Sequence, residues 1–326
     1  MNILRSTETS SFSPMESKKR SKITVIGAGN VGAASAMRIL EAGLGDIVLL
    51  DIAGGIAKGK AEDLMDAASL IGHGCKITGT SDYSQTKDSD IVVVCAGLAR
   101  KPGMTREELL NKNACIVKDI TRNFMKFNHR PVVIVVTNPL DVISYVVYKE
   151  SGLSGKRVVG MAGCLDSSRM NLISSRFLEA PLDSFDAVVM GTHGETMVCL
   201  TGSSKAGKEP LARRAPKDAI DRIVEKTKSR GAEIVSYLGT GSAFFAPSAG
   251  VFRMVKAILE DSRETMPCSC LLNGEYGVSG IFLGVPVVLG KEGIMNIVQM
   301  SLSDDEKRLL NAASNSISSQ IAQLNI

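Results

Sequence analysis

One segment of the 326-residue chain has the residue types and the spacing needed to hold a dinucleotide. A β-branched run at 22–26 leads into Gly-Ala-Gly-Asn-Val-Gly at 27–32, and a helical pattern follows. Gly27 permits a tight turn, Gly29 lets a pyrophosphate approach the backbone, and Gly32 lets the helix pack closely on the strand. Because the first N–H groups of a helix attract phosphate, we predict a dinucleotide site here.

A carboxylate at the end of the next predicted strand indicates which dinucleotide would bind. Asp51 closes the apolar run 46–51 and would accept hydrogen bonds from the ribose hydroxyls of adenosine. The same carboxylate would repel a 2′-phosphate. The predicted cofactor is therefore NAD, not NADP.

Imidazole chemistry has three candidates in this chain. His73 lies in a Gly-His-Gly turn, and His129 precedes a predicted strand, which is the end of an α/β sheet that is remote from ligands. His193 lies in Gly-Thr-His-Gly-Glu-Thr at 191–196. A histidine has a suitable pKa for proton transfer in both directions near neutral pH.

The loop Ala-Arg-Lys-Pro-Gly-Met-Thr-Arg at 99–106 carries three cations at the carboxyl end of a predicted strand. Open α/β sheets bind ligands at that end, so the loop is a candidate for binding an anion. Taken alone, the same cations are equally typical of a solvated loop.

The elements that must position these residues alternate along the chain. Buried apolar strands separated by helices indicate a parallel sheet that is covered on both faces. The predicted fold class is therefore α/β, a Rossmann-type doubly wound sheet. The strands are predicted at 22–26, 46–51, 77–80, 90–96 and 131–136, and a long helix at 106–127.

Composition excludes several classes of function. The net charge is only +4 and the chain has no tryptophan, which argues against nucleic acid or a membrane surface as the partner. No apolar run approaches the ~20 residues that span a bilayer. The seven cysteines are odd in number and lack a C-x-x-C, so we expect reduced thiols, a cytoplasmic location and, for Cys268 and Cys270, exposed strand positions rather than a metal site.

Four motifs in a fixed order carry a resemblance to a known family. They are the loop at 99–106, Thr-Asn-Pro at 137–139, Met-Ala-Gly-Cys-Leu-Asp-Ser-Ser-Arg at 161–169 and the histidine segment at 191–196. From about Lys22 to the C-terminus, the chain resembles the lactate/malate dehydrogenase family. The loop is similar to the malate-specific version in the lactate-dehydrogenase-like branch.

The resemblance implies a reaction and a set of roles. His193 would take the hydroxyl proton of a 2-hydroxy acid, with Asp166 orienting the imidazole. Arg169 would bind the C1 carboxylate in bidentate fashion, Arg106 would polarise the C2 oxygen, and Asn138 would hydrogen-bond that oxygen. The implied cofactor-binding residues are Gly27, Gly29, Asn30, Val31, Gly32, Asp51, Asn113, Thr137 and Asn138.

Arg100 decides between the two substrates. Lactate dehydrogenases typically have glutamine at this position, whereas arginine offers a planar fork for a second carboxylate. We therefore predict reversible hydride transfer between (S)-malate and NAD, giving oxaloacetate and NADH, as in the tricarboxylic acid cycle.

The resemblance also implies an organisation. We expect an extension at 1–21, with Met15 as an alternative start, an NAD-binding domain at 22–150, and an α+β substrate domain with an antiparallel sheet at 151–326. A homotetramer or a homodimer is expected.

Three alternatives stay open at this point. An L-lactate dehydrogenase would share every feature except Arg100. An NAD- and metal-dependent glycoside hydrolase would use Cys164 as a metal ligand but leaves the three arginines unexplained. A non-catalytic NAD-binding protein leaves the His–Asp pair unexplained as well.

Overall fold

The computed structural model describes residues 20–72, 74–98, 103–194 and 196–324, apart from the side chain of Arg106. Most of the predicted extension at 1–21, together with His73, Arg100 and Glu195, lies outside these residues.

Six parallel strands form one half of the main sheet, in the order β3-β2-β1-β4-β5-β6. This arrangement confirms the predicted doubly wound α/β fold. The strands are β1 (Lys22–Ile26), β2 (Asp46–Leu50), β3 (Ile77–Thr80), β4 (Ile91–Val94), β5 (Val132–Val135) and β6 (Val158–Gly160).

Helices connect and cover these strands. Two of the longer helices, α3 and α9, begin with capping boxes in which Thr105 pairs with Glu108 and Ser303 with Glu306, which satisfies N–H groups that a helix start leaves without partners. The helices are α1 (Asn30–Glu41), α2 (Gly54–Ile71), α3 (Arg106–Met125), α4 (Leu140–Ser151), α5 (Gly163–Leu178), α6 (Leu211–Arg214), α7 (Lys217–Leu238), α8 (Phe245–Leu259) and α9 (Asp304–Ala322).

The antiparallel strands expected after residue 150 are present, and most of them extend the same sheet. β12 joins the parallel half through one pairing, that of Ser269 with Gly160, and β13, β8 and β9 follow it, with β14 also paired to β13. The remaining strands form a small separate sheet. The bounds are β7 (Phe185–Asp186), β8 (Val189–Gly191), β9 (Met197–Cys199), β10 (Lys205–Ala206), β11 (Glu209–Pro210), β12 (Glu264–Asn273), β13 (Ser279–Gly290) and β14 (Gly293–Ile297).

The parallel strands are buried on both faces. Ile91 and Val93 of β4 lie in one hydrophobic cluster, whereas Val92 and Val94 lie in another on the opposite face. Side chains of a strand alternate between faces, so helices must cover both sides of this sheet. The sequence signal for this was the uninterrupted apolar run.

Cys268 and Cys270 are fully buried, so the prediction that these strand residues are exposed is wrong. Both thiols belong to the larger hydrophobic cluster, together with Cys164 and Leu165 of α5. A Cys-Ser-Cys alternation reads as a half-exposed strand, but here Ser269 is buried as well.

The parallel sheet continues beyond residue 150, because β6 pairs with β5. The boundary predicted at 150 stays a prediction. Within the described residues, none of the helices combines the length and the apolar character that crossing a membrane requires.

Gly160 lies where the two halves of the sheet join, so it offers a test of this joint. A Cβ at this position would lie 2.7 Å from the Ser269 Cβ and 2.8 Å from a Leu140 methyl. We expect Gly160→Ala to lower the free energy of unfolding by about 1–3 kcal/mol through overpacking. Urea unfolding measures this change.

Gly59→Ala is the matched control, because nothing lies within 4 Å of a Cβ at this exposed position in α2. It should stabilise the protein by up to about 1 kcal/mol. Equal stability of Gly160→Ala and the parent would contradict the close packing of the joint.

Candidate active site

The glycine segment forms a tight turn between β1 and α1. Gly27 has φ +104°, and a Cβ there would lie 2.7 Å from the Ala96 nitrogen. A Cβ on Gly32 would lie only 1.8 Å from the Gly27 carbonyl oxygen. Gly29, in contrast, faces open space and is exposed beside Asn30, the first residue of α1. The turn is therefore packed on the protein side and open where a pyrophosphate would approach.

Asp51 lies directly beside this turn, at the end of β2. Its carboxylate accepts hydrogen bonds from the Ala28 N–H at 2.7 Å and from the Ala53 N–H at 2.9 Å. Lys60 of α2 donates to the Ala28 carbonyl at 2.7 Å. The position of Asp51 fits the adenosine end of a dinucleotide. Lys60 holds the glycine turn through the Ala28 carbonyl, and the sequence did not indicate this contact.

Asn113 and Thr137 brace the loops that follow β4 and β5. The buried Asn113 amide accepts from the Leu98 N–H at 2.8 Å and donates to the Asn138 carbonyl at 2.7 Å. The Thr137 hydroxyl donates to the Ala96 carbonyl at 2.7 Å. Both predicted cofactor residues therefore hold the edge of the site together, while the Asn138 side chain is exposed.

A cleft of about 580 Å³ opens between α3, the start of α4, the histidine segment and α9. Asn138 and His193, which are far apart in the sequence, both line it. The remaining lining residues are Glu107, Leu109, Leu110, Pro139, Leu140, Asp141, Val142, Thr192, Gly194, Thr196, Ser316, Ile317, Gln320 and Gln323.

His193 forms a hydrogen bond to a buried carboxylate. Its Nδ1 lies 2.9 Å from Asp166 Oδ2, and the Asp166 side chain is only 2% exposed. When Nδ1 donates to the carboxylate, Nε2 is the ring atom left for proton exchange at the cleft. Burial lowers the pKa of His193, but the charge and the hydrogen bond of Asp166 raise it by more, so the net pKa lies above its ordinary value.

Arg169 shares the same carboxylate one helical turn along α5. Its Nη1 donates to Asp166 Oδ1 at 3.3 Å, and burial lowers the pKa of the guanidinium. Among the described residues, the buried Nε of Arg169 has no hydrogen-bond partner. A Cβ on Gly231 of α7 would lie 3.7 Å from this guanidinium, so α7 passes close to it without a side chain in between. An incoming carboxylate would satisfy the unpartnered donor.

A second buried carboxylate, which the sequence analysis missed, lies behind the histidine. Asp141 Oδ2 accepts the His193 backbone N–H at 3.1 Å, and Oδ1 accepts the Ser269 hydroxyl at 2.6 Å. The available signal was an acid two residues after Asn-Pro, in the first turn of a helix that is mostly apolar up to Tyr148. Burial raises the pKa of Asp141 to about 6, although both hydrogen bonds lower it.

The other predicted groups divide into those inside and those outside the described residues. Arg106 is the first residue of α3, after the Thr105 cap, but its side chain is not described, and Arg100 falls outside altogether. His129 is exposed at the amino end of the sheet, as expected from its position before β5. Cys164 is packed in the core, where burial raises the pKa of its thiol to about 12.

Comparison with known proteins matches two consecutive regions of the chain. Residues 21–160 match the family model described as lactate/malate dehydrogenase, NAD binding domain, and residues 164–325 match the alpha/beta C-terminal domain of that family. The chain is 45% identical over 293 residues to a malate dehydrogenase of Chlorobium phaeovibrioides, covering 90% of this chain and 95% of that protein.

Solved structures are also similar. The malate dehydrogenase of Cryptosporidium parvum matches with a TM-score of 0.90 and 41% identity, over 94% of this chain and 99% of that one. The lactate dehydrogenase of the same organism, complexed with lactic acid and nicotinamide adenine dinucleotide, matches with a TM-score of 0.91 and 36% identity, over 94% and 98%.

The open space at Gly29 allows a test of whether the glycine turn at 27–32, here called the dinucleotide cradle, binds the pyrophosphate. Gly29→Ala should fold normally, because nothing lies within 4 Å of the new methyl group, yet the methyl would stand where a pyrophosphate approaches the backbone. We expect about 10-fold weaker binding of NADH, measured by calorimetry, which corresponds to about 1.4 kcal/mol.

Gly55→Ala serves as the control, since this glycine of α2 also has nothing within 4 Å of its Cβ. It should bind NADH as the parent does. Unchanged binding in Gly29→Ala would mean that the turn is not the pyrophosphate site.

Proposed function

This chain belongs to the lactate/malate dehydrogenase family, and we propose that it is an NAD-dependent malate dehydrogenase. The proposed reaction is reversible hydride transfer between (S)-malate and NAD, which gives oxaloacetate and NADH. The observation that carries the proposal is the pairing of His193 with buried Asp166, beside an arginine whose buried Nε has no partner among the residues that the structure describes. The family membership and the malate dehydrogenase relatives support it.

The cofactor of the enzyme is NAD, which accepts or supplies the hydride when bound. We propose that the residues of the glycine turn and of the strand ends bind it, with Asp51 on the adenosine ribose. An additional phosphate at the 2′ position would meet this carboxylate and be repelled, so NADP is expected to bind poorly. The proposed set is Gly27, Gly29, Asn30, Val31, Gly32, Asp51, Asn113, Thr137 and Asn138.

Proton transfer is assigned to His193. In malate oxidation, Nε2 would take the proton of the hydroxyl group on C2. In oxaloacetate reduction it would return a proton to the same C2 oxygen. Asp166 would hold the ring in one tautomer and stabilise the protonated imidazole throughout. The raised pKa of His193 supports this role, because a protonated imidazole is the form that oxaloacetate reduction requires.

Substrate binding is assigned to the arginines and to one amide. Arg169 would bind the C1 carboxylate with two parallel hydrogen bonds, which would also satisfy its buried Nε. Asn138 would hydrogen-bond the C2 oxygen at the cleft, and Arg106 would stabilise negative charge on that oxygen. Arg100 would bind the second carboxylate.

Malate is favoured over lactate by charge. Three arginines around a monocarboxylate would repel one another, whereas a dicarboxylate pairs with two of them and leaves the third for the reacting oxygen. The fold does not distinguish the two activities, because malate and lactate dehydrogenases both match it closely. Loop closure would bring Arg100 and Arg106 over the substrate.

A cytoplasmic homotetramer or homodimer completes the proposal. The reduced-thiol pattern of the cysteines supports the location. The hydrolase alternative is disfavoured by Cys164, because a core thiol with a pKa near 12 is a poor metal ligand.

The direct test compares oxaloacetate with pyruvate, each with NADH and with NADPH. We expect kcat/KM for oxaloacetate with NADH to exceed the value for pyruvate by at least about 100-fold, because one charge-assisted bidentate pair is worth about 3 kcal/mol. NADPH should be used poorly because of Asp51. A preference for pyruvate would instead identify a lactate dehydrogenase, and activity with neither acid would refute both.

Arg100 carries the substrate specificity in this proposal, so Arg100→Gln should lose kcat/KM for oxaloacetate on the order of 100-fold and gain relative activity with pyruvate. Arg213→Gln, at an exposed position of α6 that does not line the cleft, is the control and should leave both activities unchanged. Similar kinetics for the two variants would remove Arg100 from the substrate site.

A further inference from the structure

Asp141 connects three elements that meet at the wall of the cleft. The residue lies in the first turn of α4, and its two carboxylate oxygens accept from the backbone of the histidine segment and from Ser269 of β12. Asp141 is 5% exposed and Ser269 is fully buried. Ser269 also pairs with Gly160 at the joint between the two halves of the sheet. The carboxylate therefore ties the His193 backbone to the joint between the two halves of the sheet.

Burying an ionised carboxylate to accept two hydrogen bonds costs the free energy of hydration of its charge. A neutral side chain such as asparagine could accept from an N–H and donate to a hydroxyl without the cost of desolvating a charge. Neither partner of Asp141 is a cation that would compensate its charge directly. Among the described residues, the charged groups that act on Asp141 are His193 and Asp166, and of these only the imidazole has a positive form.

Within the described ranges, the charged and titratable groups that act on Asp141 and His193, besides these two residues themselves, lie on α5 and β12. Asp166 and Arg169 of α5 face His193, while Asp166, the imidazole and the Cys270 thiol of β12 face Asp141. The negative charges of Asp166 and then Asp141 raise the pKa of His193, against the lowering effects of burial and of Arg169. Asp141 thus raises the pKa of the imidazole as Asp166 does, although it contacts the His193 backbone and Asp166 contacts the ring.

We propose that Asp141 is a positioning residue for the reaction of His193: it fixes the histidine backbone against α4 and β12, and it places a second negative charge beside the imidazole. The kinetic part of this proposal rests on the proposed dehydrogenase function. The effect on the imidazole does not, and it can be measured without turnover.

Two variants separate the effect of the Asp141 charge from the effect of its hydrogen bonds to the His193 N–H and to Ser269. Asp141→Asn keeps both hydrogen bonds, because the amide oxygen can accept from the His193 N–H while the amide nitrogen donates to the Ser269 oxygen, and it removes the charge. Ser269→Ala keeps the charge and removes one tether. Asp261→Asn is the matched control, since Asp261 also accepts a backbone N–H, that of Lys291 at 2.9 Å, but it lies outside the cleft.

The first experiment is a pH titration by NMR of the full chain labelled at the histidine rings, without substrate. The chain has three histidines, and the His193 signal is identified by its loss in His193→Asn. We expect the pKa of His193 to fall by about half a unit or more in Asp141→Asn, because a favourable charge is gone, and to stay unchanged in Asp261→Asn. An unchanged His193 pKa in Asp141→Asn would overturn the charge effect.

The second experiment follows oxaloacetate reduction against pH. Reduction requires the protonated imidazole, so activity is lost as the pH rises through the pKa of His193, and in Asp141→Asn this loss should move to lower pH by the same amount as in the titration. In Ser269→Ala, kcat should fall about 3- to 10-fold with an unchanged NADH dissociation constant. A kcat of Ser269→Ala equal to that of the parent would overturn the positioning effect of this hydrogen bond. If the parent protein does not reduce oxaloacetate, the proposed function is refuted, and the titration still decides the charge effect.

Discussion

The site depends on the buried carboxylate of Asp166, which serves two cationic partners at once. An ionised carboxylate at 2% exposure costs several kcal/mol in lost hydration unless charged donors replace the water. His193 and Arg169 provide those donors, and α5 contributes the positive end of its dipole, because Asp166 lies in its first turn. The arrangement works in both directions: the carboxylate needs the two cations, and each cation is oriented by the carboxylate. The ring orientation and the aim of the guanidinium therefore have one common cause.

The sheet determines why the two ligand sites lie so near each other. Parallel strands present all their carboxyl ends at one edge, so the glycine turn after β1, Asp51 after β2 and Asn138 after β5 share that edge. The antiparallel strands then extend the same sheet, and the turn after β8 brings His193 to the cleft that Asn138 also lines. One continuous sheet thus supports both the dinucleotide cradle and the proton-transfer pair. This continuity also explains why Ser269, at the joint, can reach the carboxylate behind His193.

Local patterns predicted much of this, and long-range contacts explain the rest. The strands, the glycine turn and α3 follow from periodicity and glycine spacing, which are properties of neighbouring residues. Asp141, by contrast, meets His193 across 52 residues and Ser269 across 128, and no local pattern encodes such contacts. The prediction that Cys268 is exposed was wrong for the same reason, because alternation along a strand does not reveal whether the second face is also covered.

Charge balance connects the described site to the loop that precedes α3. With the imidazole protonated, the positive charges of Arg169 and His193 offset the carboxylates of Asp166 and Asp141, so these four groups together carry no net charge that could pair with a substrate. A dicarboxylate brings two negative charges into a poorly hydrated space, and two more cations must arrive with it. Arg100 and Arg106, proposed to close over the substrate, would supply two, whereas a monocarboxylate would leave one of them without a counter-charge. The proton passes between groups inside the site and the hydride between the two bound ligands, so this balance would hold in both directions of the reaction. The loop at 99–106 would then select the substrate. The two buried carboxylates, Asp166 and Asp141, would determine how many cations that loop must supply.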